Sequence, residues 1–273
     1  MNAISSISET KADAETAALY RDIKLTLQVP VVNLLWRHLA TIDGSLGAIW
    51  RWIKPLYENE TLDSEAAQLR NIDGLPGIVP WSRATLRECG LHAEGEATVN
   101  AILVNYDRSN PLNLIAVMAL LTKLNGVDSS LNTRAVRRGI EMQPSTVPLP
   151  PLIEEHAMIG EIARLARVLH NIGVPQQSTK IVAGVPRHLA HWPGYLSLVA
   201  KTLSPIEEEI GQCIARVQRD AQSRGYALGR ALNYPGNIPS VQRVVDALTL
   251  FGSQELIANY IPKVRLLRSA MPR

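Results

Sequence analysis

"RHLATIDGSL" (37–46) and "RHLAHWPGYL" (187–196) stand in one chain, 150 residues apart. Laying residues 32–55 on 182–205 without a gap gives eight identities: Val32/Val182, Arg37/Arg187, His38/His188, Leu39/Leu189, Ala40/Ala190, Gly44/Gly194, Leu46/Leu196 and Pro55/Pro205. A second echo, "VNY" (104–106) and "ANY" (258–260), follows in the same order at an offset of 154. Self-similarity at one long interval marks a duplicated unit. Such units tend to pack as a pseudo-two-fold pair, an intramolecular analogue of an isologous dimer. The cleft between them is then the expected ligand site.

The units are helical. "AETAALYRDIKLTLQ", "EATVNAILVNY", "PLNLIAVMALLTKL", "EEHAMIGEIARLARVLHNI", "EEEIGQCIARVQRDAQ" and "PSVQRVVDALTLF" all space apolar residues at i, i+3, i+4 and i+7. No segment alternates with period two, and only one Phe is present. Pro30, Pro111 and Pro193 read as first-turn prolines, and Gly90, Gly173 and Gly225 as residues near helix ends. The expected fold is all-α, about a dozen helices in two tandem repeats. "QPSTVPLPPL" carries Pro144, Pro148, Pro150 and Pro151, which no helix interior tolerates. It divides the chain into repeat 1 (1–142), a semi-rigid linker (143–151) and repeat 2 (152–273).

Composition narrows the function. Apolar residues are 46% of the 273, enough for a sizeable core. A net charge of +3 gives no reason to expect nucleic acid as a partner. The basic tail "KVRLLRSAMPR" reads as a helix end complementing its own dipole. No apolar run reaches the roughly 20 residues that span a bilayer, so no membrane is expected. "MNAISSISETKADAE" lacks a basic stretch followed by an apolar one, so no secretory leader is expected. Cys89 and Cys213 do not form a CxxC, which excludes a zinc ribbon and a peroxidase-type dithiol and fits a cytoplasmic protein. His188 and His191 are three apart with no Cys or acid beside them, so no metal site is expected.

Four stretches carry a family resemblance: "DIKLTLQVPVVNLLWRHLAT" (22–41), "LVNYDRSNPLNLIAVMAL" (103–120), "VPLPPL" (147–152) and "LAHWPGYL" (189–196). Together they resemble the DehI-type, or group I, 2-haloacid dehalogenases. The resemblance implies an all-helical pseudo-dimer with its active site between the repeats. It implies hydrolysis of 2-halocarboxylic acids of both configurations, with inversion and with no metal and no organic cofactor. An Asp at the start of a second-repeat helix activates a water that attacks the α-carbon. An Asn in a first-repeat NP dipeptide holds that water, and two aromatics after the VP motif shape the pocket.

Carried over, the water-positioning Asn falls on Asn110, followed by Pro111. The two aromatics fall on Val31 and Leu34, both aliphatic. Counting back from Leu189-Ala190 puts the family's Ser-Asp pair on Gly184-Val185. The Asp is missing, and no Asp or Glu lies between Glu161 and Glu207. Removing a general base costs on the order of 10²–10⁴ in rate. Candidate replacements are Asp107, in what reads as a loop, and His188 or His191. His188 has a twin in His38, which favours a structural role. Asp43 reads as a turn or cap residue, and Asn110 also reads as the N-cap before a first-turn proline. Helix N-termini after Pro30 or Val185, or Arg37 and Arg187, are the candidate donors to a substrate carboxylate. Two functions are expected to compete: hydrolysis of a small 2-halocarboxylic acid, or a non-dehalogenating role as a small carboxylic acid binder or an enzyme of other chemistry. A homodimer is compatible with either.

Overall fold

The computed structural model describes residues 4–126, 147–174 and 181–272, apart from the side chains of residues 254 and 255. Within them the chain is helical, with twelve α-helices and no β-strand. The first six are α1 (Ala14–Leu27), α2 (Leu34–Leu39), α3 (Ser45–Tyr57), α4 (Glu60–Leu69), α5 (Arg83–Glu88) and α6 (Ala93–Leu124). The second six are α7 (Gly160–Asn171), α8 (Gly184–Leu189), α9 (Pro193–Leu203), α10 (Glu207–Arg230), α11 (Val241–Gly252) and α12 (Asn259–Ala270). The end of repeat 1 at residue 142 lies outside the described residues, and of the linker only 147–151 lie within them.

Local chemistry sets the helix ends. Asp13 caps α1, its carboxylate accepting from the Thr16 N–H at 2.8 Å, and Gln28 in the left-handed region (φ 55°) stops it. Tyr20, Ile23 and Leu27 then form one apolar stripe, buried against α3. In α3, Leu46, Ile49, Trp50, Ile53, Leu56 and Tyr57 answer it. Trp36 packs edge-on to Trp50 and Tyr57. The Asn113 Oδ1 accepts from both Trp36 Nε1 (3.2 Å) and Tyr57 Oη (2.7 Å), so the aromatic cluster buries its polar atoms satisfied.

The largest departure from the expected helices is α6. "EATVNAILVNY" and "PLNLIAVMALLTKL" are one helix of 32 residues that runs straight through Pro111. Proline removes one backbone hydrogen bond from a helix interior. Here residues 99–120 are buried almost all round, so packing on every side offsets that loss. Asn110 is therefore an interior residue of α6, not an N-cap. Asp107 is likewise on the helix, not in a loop.

Helix α6 is the axis of the molecule, packed against α4, α10, α11 and α12. Gly225 is not near a helix end but inside α10, where a Cβ would stand 2.1 Å from Met118 Cβ; one at Gly229 would stand 2.5 Å from the Ala119 oxygen. Bare backbone at these two positions lets α10 lie directly on α6.

The basic tail is also used differently from the expectation. Lys263 is fully buried, and its Nζ donates to the carbonyls of Leu169 (2.7 Å) and His170 (3.1 Å), the open end of α7. Its hydrogen bonds go to the end of another helix rather than its own, and burial pushes its pKa well down. Arg265 and Arg268 pair with Asp107 across the molecule.

Candidate functional site

The short helices α2 and α8 begin facing each other across the middle of α6. The space left between them is a cavity of about 30 Å3. A water-sized group needs roughly 10–15 Å3 on this measure, so the cavity suits a compact ligand of a few heavy atoms. Asn33 and Leu34 enter from α2, Tyr106 and Asn110 from α6, and Ala183, Gly184 and Val185 from α8. Phe251, Leu256, Ile257 and Tyr260 close the far side, from the end of α11 to the start of α12.

Four residues singled out in the sequence meet here: Leu34, Asn110, Gly184 and Val185. Val31 lies outside the lining and is half-buried ahead of α2. Asp107 sits one turn before Asn110 but faces α12, where its Oδ2 accepts from Arg265 at 3.2 Å and from Arg268. His188 stands one residue behind the wall: its Nδ1 is 2.9 Å from Tyr106 Oη, and its Nε2 is 3.0 Å from the Pro150 carbonyl. His191 donates to the Pro151 carbonyl at 2.8 Å, and His38 to Ser5 at 2.8 Å. Asp43 is an exposed turn residue just ahead of α3.

The arginines do not enter the cavity. Arg37 Nε donates to the Ile7 carbonyl (3.3 Å) and Arg187 Nε to the Ile153 carbonyl (2.8 Å). Their Nη2 atoms share Glu154, at 3.4 and 2.9 Å. Both guanidiniums are thus engaged elsewhere, which leaves them unavailable as carboxylate donors.

Among the described residues the lining holds no charged side chain. Its polar members are two amides and two phenols. Asn33 caps α2 through the Leu35 N–H (3.0 Å) and turns its amide nitrogen toward Asn110 Oδ1 at 3.4 Å. Burial pushes both phenols, Tyr106 and Tyr260, well up, so neither is a phenolate at neutral pH. Each tyrosine hydroxyl meets a buried histidine: Tyr106 meets His188, and Tyr260 meets His170 at 3.1 Å. Burial drives both rings down, His188 to about 3 and His170 to about 4, the latter helped by the Lys263 charge. Both rings are therefore neutral at pH 7.

The tyrosines are the lining residues that sequence reading passed over. Their signal was there: "VNY" and "ANY" put Tyr106 and Tyr260 at matching places in the two halves. Nothing in the sequence said that these two face one cavity.

Comparisons with known proteins give relatives in sequence and in fold. No protein-family profile matches the chain. The (R)-2-haloacid dehalogenase of Pseudomonas putida is 24% identical over 207 residues, covering 73% of this chain and 67% of the relative. A configuration-inverting 2-haloacid dehalogenase of Alcaligenes xylosoxydans xylosoxydans is 26% identical over 231 residues, covering 80% and 72%. Among solved structures, a D-2-haloacid dehalogenase mutant in complex with D-2-CPA superposes with a TM-score of 0.78 at 19% identity, over 98% of this chain and 95% of that one. A D-2-haloacid dehalogenase with L-LA gives 0.77 at 20% identity, over 98% and 96%. The solved structures share the all-α fold with this chain, and in sequence it is similar to the curated 2-haloacid dehalogenases.

Proposed function

We propose that the cavity between α2, α6, α8 and α12 binds a small 2-substituted carboxylic acid, and that the chain does not displace halide from it by the carboxylate-base route. The observation that carries this is a lining without charge among the described residues, in which Val185 stands where the family resemblance places the Asp. Water attack on a carbon–halogen bond needs a base about 3 Å from the water. Valine offers methyl groups, the phenols hold their protons, and a ring with a pKa of about 3 does not retain a proton at pH 7. Asn110 can orient a water or a ligand oxygen but cannot take a proton.

The test is halide release from both enantiomers of 2-chloropropionate, beside binding of the same acids followed by ligand-observed NMR. Binding without halide release is the expected result, with Asn110→Ala weakening the binding. Halide release well above the buffer rate would overturn the reading.

Hydrolysis through another base is the second reading, and one observation favours it. Asp107 Oδ1 is buried without a hydrogen-bond partner, one helical turn from Asn110. Under that reading release is present and Asp107→Asn abolishes it.

The same proposal takes residues 1–142 and 152–273 as duplicated units joined by the linker 143–151. Matched contacts support it. Helix α2 begins 150 residues before α8, α1 packs on α3 as α7 packs on α9, and α4 packs on α6 as α10 packs on α12. Each Arg-His pair ties down the extended segment ahead of the first helix of its own half: Arg37 and His38 hold Ile7 and Ser5, Arg187 and His188 hold Ile153 and Pro150. The two unpaired cysteines fit a cytoplasmic setting. Among the described residues no helix is long and apolar enough to cross a membrane.

A further inference from the structure

The hydrogen-bonding character of the cavity is fixed by a histidine that does not touch it. The Pro150 carbonyl can only accept, so His188 Nε2, 3.0 Å away, must carry the ring proton. The ring is fully buried, with the guanidiniums of Arg187 and Arg37 and the ring of His191 nearby, and these hold it neutral. In a neutral ring protonated at Nε2, Nδ1 is a bare lone pair. Tyr106 Oη, 2.9 Å from that lone pair, must therefore give it its only hydrogen. What remains on Tyr106 Oη is acceptor capacity alone.

Gly184 makes this arrangement possible. A Cβ at Gly184 would stand 2.5 Å from Tyr106 Oη, so the hydroxyl fills the volume that a side chain there would take. Tyr106 and Gly184 both line the cavity.

We propose that Tyr106 Oη is a fixed hydrogen-bond acceptor in this cavity, and that the site selects a 2-hydroxy carboxylic acid over its 2-halo analogue. This rests on the reading of the cavity as a small-acid site and goes one step further, to the 2-substituent. A hydroxyl at C2 donates to Oη. A halogen at C2 has no hydrogen to give and sets its own lone pairs against those of the oxygen. The buried acceptor is then left unmet, the kind of mismatch by which sites built around a hydroxyl reject analogues that lack it. One net hydrogen bond corresponds to a preference of about tenfold.

The experiment titrates the full chain with lactate, 2-fluoropropionate and 2-chloropropionate, each as both enantiomers, and reads affinities by calorimetry or ligand-observed NMR. Fluorine is close to hydroxyl in size, so lactate against 2-fluoropropionate isolates the missing hydrogen without any variant. The expected result is lactate about tenfold tighter than either halo acid, with Tyr106→Phe collapsing the preference while the halo acids still bind. A merely structural tyrosine would weaken all three acids alike and leave their ratio unchanged. Equal affinities in the wild-type chain, or a preference that survives Tyr106→Phe, would overturn the selectivity and leave the small-acid reading standing. No binding of any of the three would sink the small-acid reading and this proposal with it.

Discussion

Gly184 and Tyr106 occupy one volume, and that pairing is testable without any ligand. A Cβ at residue 184 falls 2.5 Å from the hydroxyl but 3.3 Å from the ring carbon that bears it. Gly184→Ala in the wild-type chain therefore overpacks the site, with an expected cost of about 1–3 kcal/mol in urea unfolding. In a Tyr106→Phe background the offending oxygen is gone, and the same substitution should cost markedly less. Additive penalties in that double-mutant cycle would show that the two residues do not compete for space. The buried histidines give a second expectation at this scale. His188 (about 3) and His170 (about 4) are held neutral when folded and titrate near 6.5 when unfolded. Between pH 6.5 and pH 4 the unfolded chain binds more protons, so stability falls as the pH falls through that window. The slope at pH 5 is about 1.4 kcal/mol per pH unit for each ring. Urea midpoints at pH 7 and pH 5 read it, and His170→Asn should remove about half of the difference due to the two rings.

At the scale of elements, α6 decides what the site contains. A helix broken at Pro111 would have made Asn110 a cap with its side chain on its own backbone. The continuous helix instead carries Tyr106 and Asn110 into the cavity and turns Asp107 to the arginines of α12. Sequence patterning read the proline by its usual position, because local propensity carries no information about burial on all sides. The contact of α10 with α6 is the matching test. Gly225→Ala places a carbon 2.1 Å from Met118 Cβ and should destabilise by about 1–3 kcal/mol or more. Gly77→Ala, with nothing within 4 Å of its Cβ, should change stability by less than about 0.5 kcal/mol. Equal effects would mean that α10 and α6 separate freely enough to absorb a methyl group.

For the whole molecule, Glu154 holds the two halves to one point. Arg37 from α2 and Arg187 from α8 are both buried, and this half-exposed carboxylate lies between them. Removing it leaves two guanidiniums with like charge and little water. Glu154→Gln is expected to cost about 1–3 kcal/mol, below the 3–5 of a fully buried pair because Glu154 reaches solvent. Trp36, Trp50, Trp52 and Trp81 report on the first half and Trp192 on the second. Loss of stability confined to one set of tryptophans would show that Glu154 does not couple the halves.

The sequence by itself determined the helical class, the echo of one stretch at an interval of 150 residues and the lack of a carboxylate at residue 185. Each is a matter of spacing along the chain, and spacing is local. The family resemblance also picked out Leu34, Asn110, Gly184 and Val185, which line one cavity. Only the tertiary structure decided which polar groups complete that site. The Tyr106 hydroxyl, the His188 ring and the Pro150 carbonyl come from three separate segments, and their distances fix where each hydrogen lies. Donor and acceptor roles depend on that geometry, because a hydroxyl or a neutral imidazole takes whichever role its neighbours leave open.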